Sequence, residues 1–229
     1  MFTTRFEAWV RRKAEALITA LGRTPLTPNQ VTVVGLALTV VAAGLAANGQ
    51  LRWAGVVLIF AGTCDILDGA LARSTKAGYP YGAFLDSTLD RVADGGLLGG
   101  LAVFYALNER HHNVPMVVVC LAGLIGAFLT SYIRARAEAL GLDAKVGLVQ
   151  RPERIVLLSA PQALFGLVLD GWVLALIILF LTVTAWITVV QRMQFVYRQT
   201  NARADAPPLS LPTEKTFWLR RRGRTGTRS

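Results

Sequence analysis

Six apolar stretches of roughly 15 to 23 residues divide this chain, and each approaches the ~20 residues that a helix needs to cross ~30 Å of hydrocarbon. A backbone in lipid must satisfy its own N–H and C=O groups, so stretches of this kind are read as helices. They run from about Val31 to the Asn48-Gly49-Gln50 turn, Trp53 to Leu71, Phe84 to Leu107, Val114 to Ile133, Ile155 to Leu169, and Val173 to Val190. The composition agrees: 53% of the 229 residues are hydrophobic and 17% charged, against about 45–50% and about 25% in an average soluble domain. The expected fold class is all-α, a polytopic membrane protein with six transmembrane helices and no room for a separate soluble domain.

Ahead of the first span, Phe2, Phe6, Trp9, Val10, Ala14, Leu17, Ile18 and Leu21 recur at helical intervals among Arg5, Arg11, Arg12 and Lys13. This pattern predicts an interfacial amphipathic helix over residues 1–24. Pro25 and Pro28 end it, and Asn29 is the expected N-cap of the first span. Residues 25–200 form the membrane domain. From residue 201 onward the Pro207-Pro208, Pro212 and Arg220-to-Arg228 composition predicts a basic cytoplasmic tail, mostly disordered. Cys64 and Cys120 both fall within spans, so neither a disulfide framework nor a cysteine zinc site is indicated.

The net charge of +10 would suggest nucleic acid in a soluble protein, but the distribution says otherwise. Of the 24 Lys and Arg residues, only Arg52 and Arg110 lie in the first, third or fifth connection. The rest flank the termini and the second and fourth connections. The positive-inside rule then places both termini and those two connections in the cytoplasm, in a multi-pass cell (inner) membrane protein whose excess charge faces anionic lipid headgroups. No nucleic-acid partner is expected.

Five acidic residues, Asp65, Asp68, Asp86, Asp90 and Asp94, fall within otherwise apolar or small residues of the second and third spans. A carboxylate at membrane depth costs several kcal/mol unless paired or coordinated. Asp65 and Asp68 are three residues apart and Asp86 and Asp90 four apart, so each pair shares a helix face. A short loop makes the two helices antiparallel neighbours, and four carboxylates can converge. Convergent acids resolve their repulsion by protonation or by binding cations. An all-oxygen set favours Mg²⁺, with Mn²⁺ as a substitute, and two ions would nearly cancel the charge. Gly69 and Ala72 keep the adjoining surface small, and Arg73 adds a fork that matches a diphosphate.

These residues spell Asp65-x2-Asp68-Gly69-x2-Ala72-Arg73-x8-Gly82-x3-Asp86-x3-Asp90, which resembles the motif of the CDP-alcohol phosphotransferase (phosphatidyltransferase) family at every fixed position and spacing. The resemblance implies a divalent-metal-dependent membrane enzyme of phospholipid synthesis, acting on CDP-diacylglycerol with loss of CMP. It further implies that Asp65, Asp68, Asp86 and Asp90 hold or face two metal ions, with Asp90 as the base that deprotonates the acceptor alcohol. Asn29, Gln30, Val31 and Thr32, with Gly69, Arg73 and Tyr79, would contact the CDP moiety. Asp94 lies outside the motif and is not read as a ligand. The glycine-rich spans and the resemblance together suggest a homodimer.

A second charge cluster, Arg134, Arg151, Arg154 and Arg192, sits at the cytoplasmic ends of the last three spans. Guanidinium groups near a carboxylate cluster suit an acceptor that itself carries a phosphate. The runs Ser131 to Glu138, Arg151-Pro152-Glu153-Arg154 and Val190-Gln191-Arg192 resemble the bacterial branch of the family that joins inositol 1-phosphate to CDP-diacylglycerol. Glycerol 3-phosphate is the rival acceptor and serine a weaker one. An ion-coupled transporter is the alternative from another class, though such proteins more often show broken helices or paired repeats. The charge partition predicts that a cysteine placed at Asn113 is labelled by an impermeant maleimide from outside the cell, whereas one at Thr213 is labelled only after permeabilisation. The reverse pattern would invert the topology.

Overall fold

In the computed structural model, residues 27–74, 80–144, 146–149 and 151–201 are described. The expected helix at 1–24, Tyr79, the side chain of Arg73 and all of the tail beyond Asn201 lie outside the described residues. Six α-helices carry the fold: α1 (Pro28–Ala47), α2 (Leu51–Ser74), α3 (Pro80–Leu107), α4 (Val114–Ala139), α5 (Arg151–Phe165) and α6 (Trp172–Asn201). No strand occurs among the described residues.

Local chemistry fixes the helix ends. α1 is capped by Thr27 rather than by the expected Asn29: the Thr27 hydroxyl accepts from the Gln30 N–H at 3.4 Å, and Gln30 Oε1 accepts from the Thr27 N–H at 2.9 Å. With Pro28 at the first helical position and Gln at the third, this is a reciprocal capping box, and Asn29 is left inside the first turn. Gly49, at φ +76°, lets the chain turn back into α2. The Asn113 side chain caps α4 by accepting from the Met116 N–H at 3.1 Å.

α5 departs from its expected span. It begins at Arg151 rather than Ile155 and ends at Phe165, four residues short of Leu169. Gly166 stops it, entering the left-handed region at φ +66° while its N–H returns to the Gln162 carbonyl at 2.8 Å. A single 3₁₀ turn, Val168–Gly171, then leads into α6.

Among the described residues, four helices, α1, α2 over Leu51–Ala72, α4 and α6, are long and apolar enough to cross a membrane. The chain is a polytopic membrane protein. α3 has the length, with 28 residues, but it carries Asp86, Asp90, Arg91 and Asp94, and α5 has only 15 residues with Pro161 inside. Val33, Val40, Phe60, Val118, Leu176 and Phe180 remain exposed on the helix surfaces, as expected where the surrounding solvent is lipid.

α1 packs on α2 and α3, α4 on α3 and α6, and α5 on α2 and α6. Phe104, Cys120 and Ile178 are fully buried at the centre. Backbones meet closely at small residues, which suits helix association in lipid. A Cβ on Gly100 would stand 2.5 Å from the Ala43 carbonyl oxygen, and one on Gly55 would stand 2.5 Å from the Ala163 nitrogen. The Trp186 indole N–H and Thr182 hydroxyl donate to Ala122 and Val119 carbonyls at 3.1 and 3.2 Å, tying α6 to α4. A Cβ on Gly96 or Gly99 would meet nothing within 4 Å among the described residues.

Overpacking a tight contact typically costs ~1–3 kcal/mol. Gly100→Ala should therefore lower the melting temperature in detergent, whereas Gly44→Ala, on an α1 face with nothing within 4 Å, should leave it unchanged or raise it. Equal effects would contradict the α1–α3 contact.

Candidate active site

The acids placed on α2 and α3 by their spacing do converge. One carboxylate oxygen each from Asp65, Asp68 and Asp86 lies within 4.8 Å of the others. Asp68 is buried, and its Oδ2 has no hydrogen-bond partner. Buried polar atoms are almost always satisfied, so an orphaned carboxylate oxygen aimed among other carboxylates fits a hard cation ligand. The three oxygens present, all anionic, match Mg²⁺ or Mn²⁺.

Asp90, the fourth expected ligand, is engaged differently. Its Oδ1 lies 2.8 Å from Arg151 Nη1, which also forms an ion pair and hydrogen bond with Asp65 Oδ1. Arg91 Nη1 stands 3.8 Å from Asp90 Oδ2. Arg151, read from sequence as a phosphate contact, therefore points its guanidinium at carboxylates.

Two cavities flank this group. A small one of about 20 Å³, lined by Thr32, Gly35, Asp65, Asp68, Asp90 and Arg151 among others, is large enough for about one water molecule. A larger one of about 390 Å³ opens on the other side of Asp90 and Arg151. Arg134, Arg154 and Arg192 all line it, together with Asp94, Thr130 and Ser131.

Each of those arginines is held by a named partner. Arg192 donates through Nε to the Val146 carbonyl at 2.8 Å and through Nη1 to the Thr130 carbonyl. Arg154 Nη1 lies 3.3 Å from Asp94 Oδ2, and Arg134 Nε donates to Glu138 Oε1 at 3.0 Å. Arg192 is anchored by carbonyls and has no ion-pair partner among the described residues, which suits the cavity to an anion. Asp94, which the motif does not include, lines this cavity and pairs with Arg154. Its place one helical turn beyond Asp90 was the available signal.

The expected CDP contacts gather at the head of α1. Thr32 reaches the small cavity and its hydroxyl donates to the Pro28 carbonyl at 3.1 Å. Gln30 is held in the capping box, and Val31 follows it on the same turn. Asn29 Oδ1 would stand 3.3 Å from a Cβ at Gly82, so the motif glycine permits the close approach of α3 to α1. Gly69 follows Asp68 on α2.

Residues 25–194 match the family described as CDP-alcohol phosphatidyltransferase. The chain is 40% identical over 187 residues to the phosphatidylinositol phosphate synthase of Mycobacteroides abscessus, covering 81% of this chain and 84% of that one. It is 32% identical over 177 residues to the archaetidylinositol phosphate synthase of Methanothermobacter thermautotrophicus, covering 77% and 86%. The crystal structure of Mycobacterium tuberculosis phosphatidylinositol phosphate synthase with CDP-DAG bound is similar at a TM-score of 0.71 and 35% identity, over 81% of this chain and 94% of that one. The same enzyme in complex with manganese and citrate gives a TM-score of 0.71 at 35% identity, over 80% and 88%.

Proposed function

The chain belongs to the CDP-alcohol phosphatidyltransferase family, and from that premise we propose that it transfers the phosphatidyl group of CDP-diacylglycerol to inositol 1-phosphate, releasing CMP. The observation that carries this reading is the cavity of about 390 Å³ in which Asp90 faces Arg134, Arg154 and Arg192. It joins a carboxylate able to accept a proton to a cationic lining able to hold a phosphate. The two relatives are named for products with different lipid parts and the same inositol phosphate part, and the cavity suits that shared part.

In the reaction, the acceptor hydroxyl oxygen attacks the lipid-side phosphorus of the diphosphate, the bond to the bridging oxygen breaks, and CMP leaves. Asp90 receives the hydroxyl proton, a role that typically contributes ~10² to 10⁴ in rate. Arg134, Arg154 and Arg192 grip the acceptor's phosphate through charge-assisted hydrogen bonds and orient its hydroxyl toward Asp90. The head of α1, at Asn29, Gln30, Val31 and Thr32, receives the CDP moiety together with Gly69, Arg73 and Tyr79. Divalent cations held by Asp65, Asp68 and Asp86, and faced by Asp90, supply charge stabilisation to the diphosphate when bound.

The site opens to the cytoplasmic face, a reading supported by the near absence of Lys and Arg from the alternate connections. α3 and α5 complete the six spans, with Asp86, Asp90, Asp94, Arg151 and Arg154 gathered at the site. Residues 25–200 form the membrane domain, and residues 201–229 are a basic tail by composition. Two copies associate as a homodimer, a reading supported by the glycine-rich α3, where a Cβ on Gly96 or Gly99 would meet nothing within 4 Å among the described residues.

Purified protein given CDP-diacylglycerol, Mg²⁺ and inositol 1-phosphate should release CMP and form a phosphorylated inositol lipid, and excess EDTA should abolish both. Asp68→Asn and Asp86→Asn should each lower turnover by at least ~10²-fold, from loss of charge stabilisation at the metals. Losing one charge-assisted phosphate contact costs ~1.5–3 kcal/mol, so Arg154→Ala should raise the acceptor KM by roughly ten- to a hundredfold. Turnover with glycerol 3-phosphate and none with inositol 1-phosphate would overturn the acceptor assignment.

A further inference from the structure

Arg151 stands where the two cavities meet. It and Asp90 are the residues that line both. A single nitrogen, Nη1, pairs with Asp65 Oδ1 from α2 and lies 2.8 Å from Asp90 Oδ1 on α3. Its Nε is buried without a hydrogen-bond partner. The guanidinium is thus committed to two carboxylates at one end and enclosed along its stem. Arg154, Arg134 and Arg192 are different: they face the larger cavity alone and do not line the smaller one.

The packing of α5 explains the placement. α2 and α5 meet along a seam of small residues in opposite chain order. A Cβ on Gly55 would stand 2.7 Å from the Ser159 carbonyl oxygen, and one on Gly62 would stand 3.0 Å from Ile155 Cγ2. One turn farther along the same seam, Asp65 meets Arg151. Because backbone contact at Gly55 fixes the spacing of the helices, Arg151 has little freedom to retreat from Asp65. Its second contact then sets where Asp90 stands.

We propose that Arg151 is a positioning residue of the transfer reaction: its Nη1 clamps the base Asp90 to the ligand carboxylate Asp65, and it does not grip the acceptor's phosphate. The proposal rests on the reading of Asp90 as the base. The clamp occupies Asp90 Oδ1 and leaves Oδ2, with Arg91 at 3.8 Å, to meet the acceptor hydroxyl. Asp65 belongs to the carboxylate trio, so the same nitrogen ties the position of the base to that of the diphosphate. Misplacing a base by about 1 Å can cost ~10²-fold in rate.

A double-mutant cycle with binding measurements tests this, using full-length protein in detergent with CDP-diacylglycerol and inositol 1-phosphate. Arg151→Ala should lower kcat by ~10²-fold while acceptor KM stays within about threefold of wild type. Arg151→Lys, which keeps a cation able to bridge two carboxylates, should recover at least a tenth of wild-type kcat, and it serves if the alanine variant does not fold. Calorimetric affinity for inositol 1-phosphate, measured without turnover, should be unchanged in Arg151→Lys and weakened in Arg154→Ala. Asp90→Asn combined with Arg151→Ala should be little slower than Asp90→Asn alone, because a residue acting through another gives non-additive losses. Additive losses, or a tenfold rise in acceptor KM with kcat unchanged, would overturn the clamp. A silent Asp90→Asn with a slow Arg151→Ala would instead overturn the assignment of the base on which the clamp rests.

Discussion

Placing like charges close together between apolar helices is the constraint around which this molecule is arranged. Asp65, Asp68 and Asp86 bring oxygens within 4.8 Å of one another, in a setting where even one ionised carboxylate costs several kcal/mol. The fold answers with arginines delivered by a distant helix: Arg151 meets Asp65 and Asp90, and Arg154 meets Asp94. α5 can deliver them because Gly55 and Gly62 let it lie against α2. Its shortness and polar start follow from that task. Of the charges that weaken α3 as a span by composition alone, α5 compensates Asp90 and Asp94.

The helices were legible because long apolar runs in lipid allow no other backbone arrangement, and the acid pairs because spacings of three and four residues share a face. What remained hidden depends on tertiary contact. Thr27 and Asn29 are both good N-caps, and only the Pro28 and Gln30 frame decides for Thr27. Hydropathy could not see that α5 begins at Arg151, since charged residues at a helix end read as a connection. The partner of Arg151 lies 86 residues away in sequence, so its grouping with the other arginines was natural and its contact with Asp65 invisible. Asp94 was set aside for the same reason: its meaning comes from Arg154, on another helix.

The layout suits a reaction with two dissimilar substrates. The small carboxylate-lined cavity lies beside the head of α1, the larger arginine-lined cavity lies on the far side, and Asp90 belongs to both. A phosphorylated alcohol in the larger cavity would meet Asp90, the same carboxylate that borders the Asp65 and Asp68 side of the site, so acceptor and diphosphate can be brought together there. The Val146 and Thr130 carbonyls hold the Arg192 guanidinium in place in the lining of the larger cavity.

The converging acids of α2 and α3 form a divalent-cation site before any substrate arrives. Equilibrium binding of Mn²⁺ to the detergent-solubilised protein, followed by the electron paramagnetic resonance of free Mn²⁺ with no nucleotide or inositol phosphate present, tests it most directly. The account predicts saturable binding that Mg²⁺ displaces and that Asp68→Asn weakens at least ~10-fold, or about 1.4 kcal/mol. Absence of saturable binding in the wild-type protein, or equal affinity in Asp68→Asn, would contradict it.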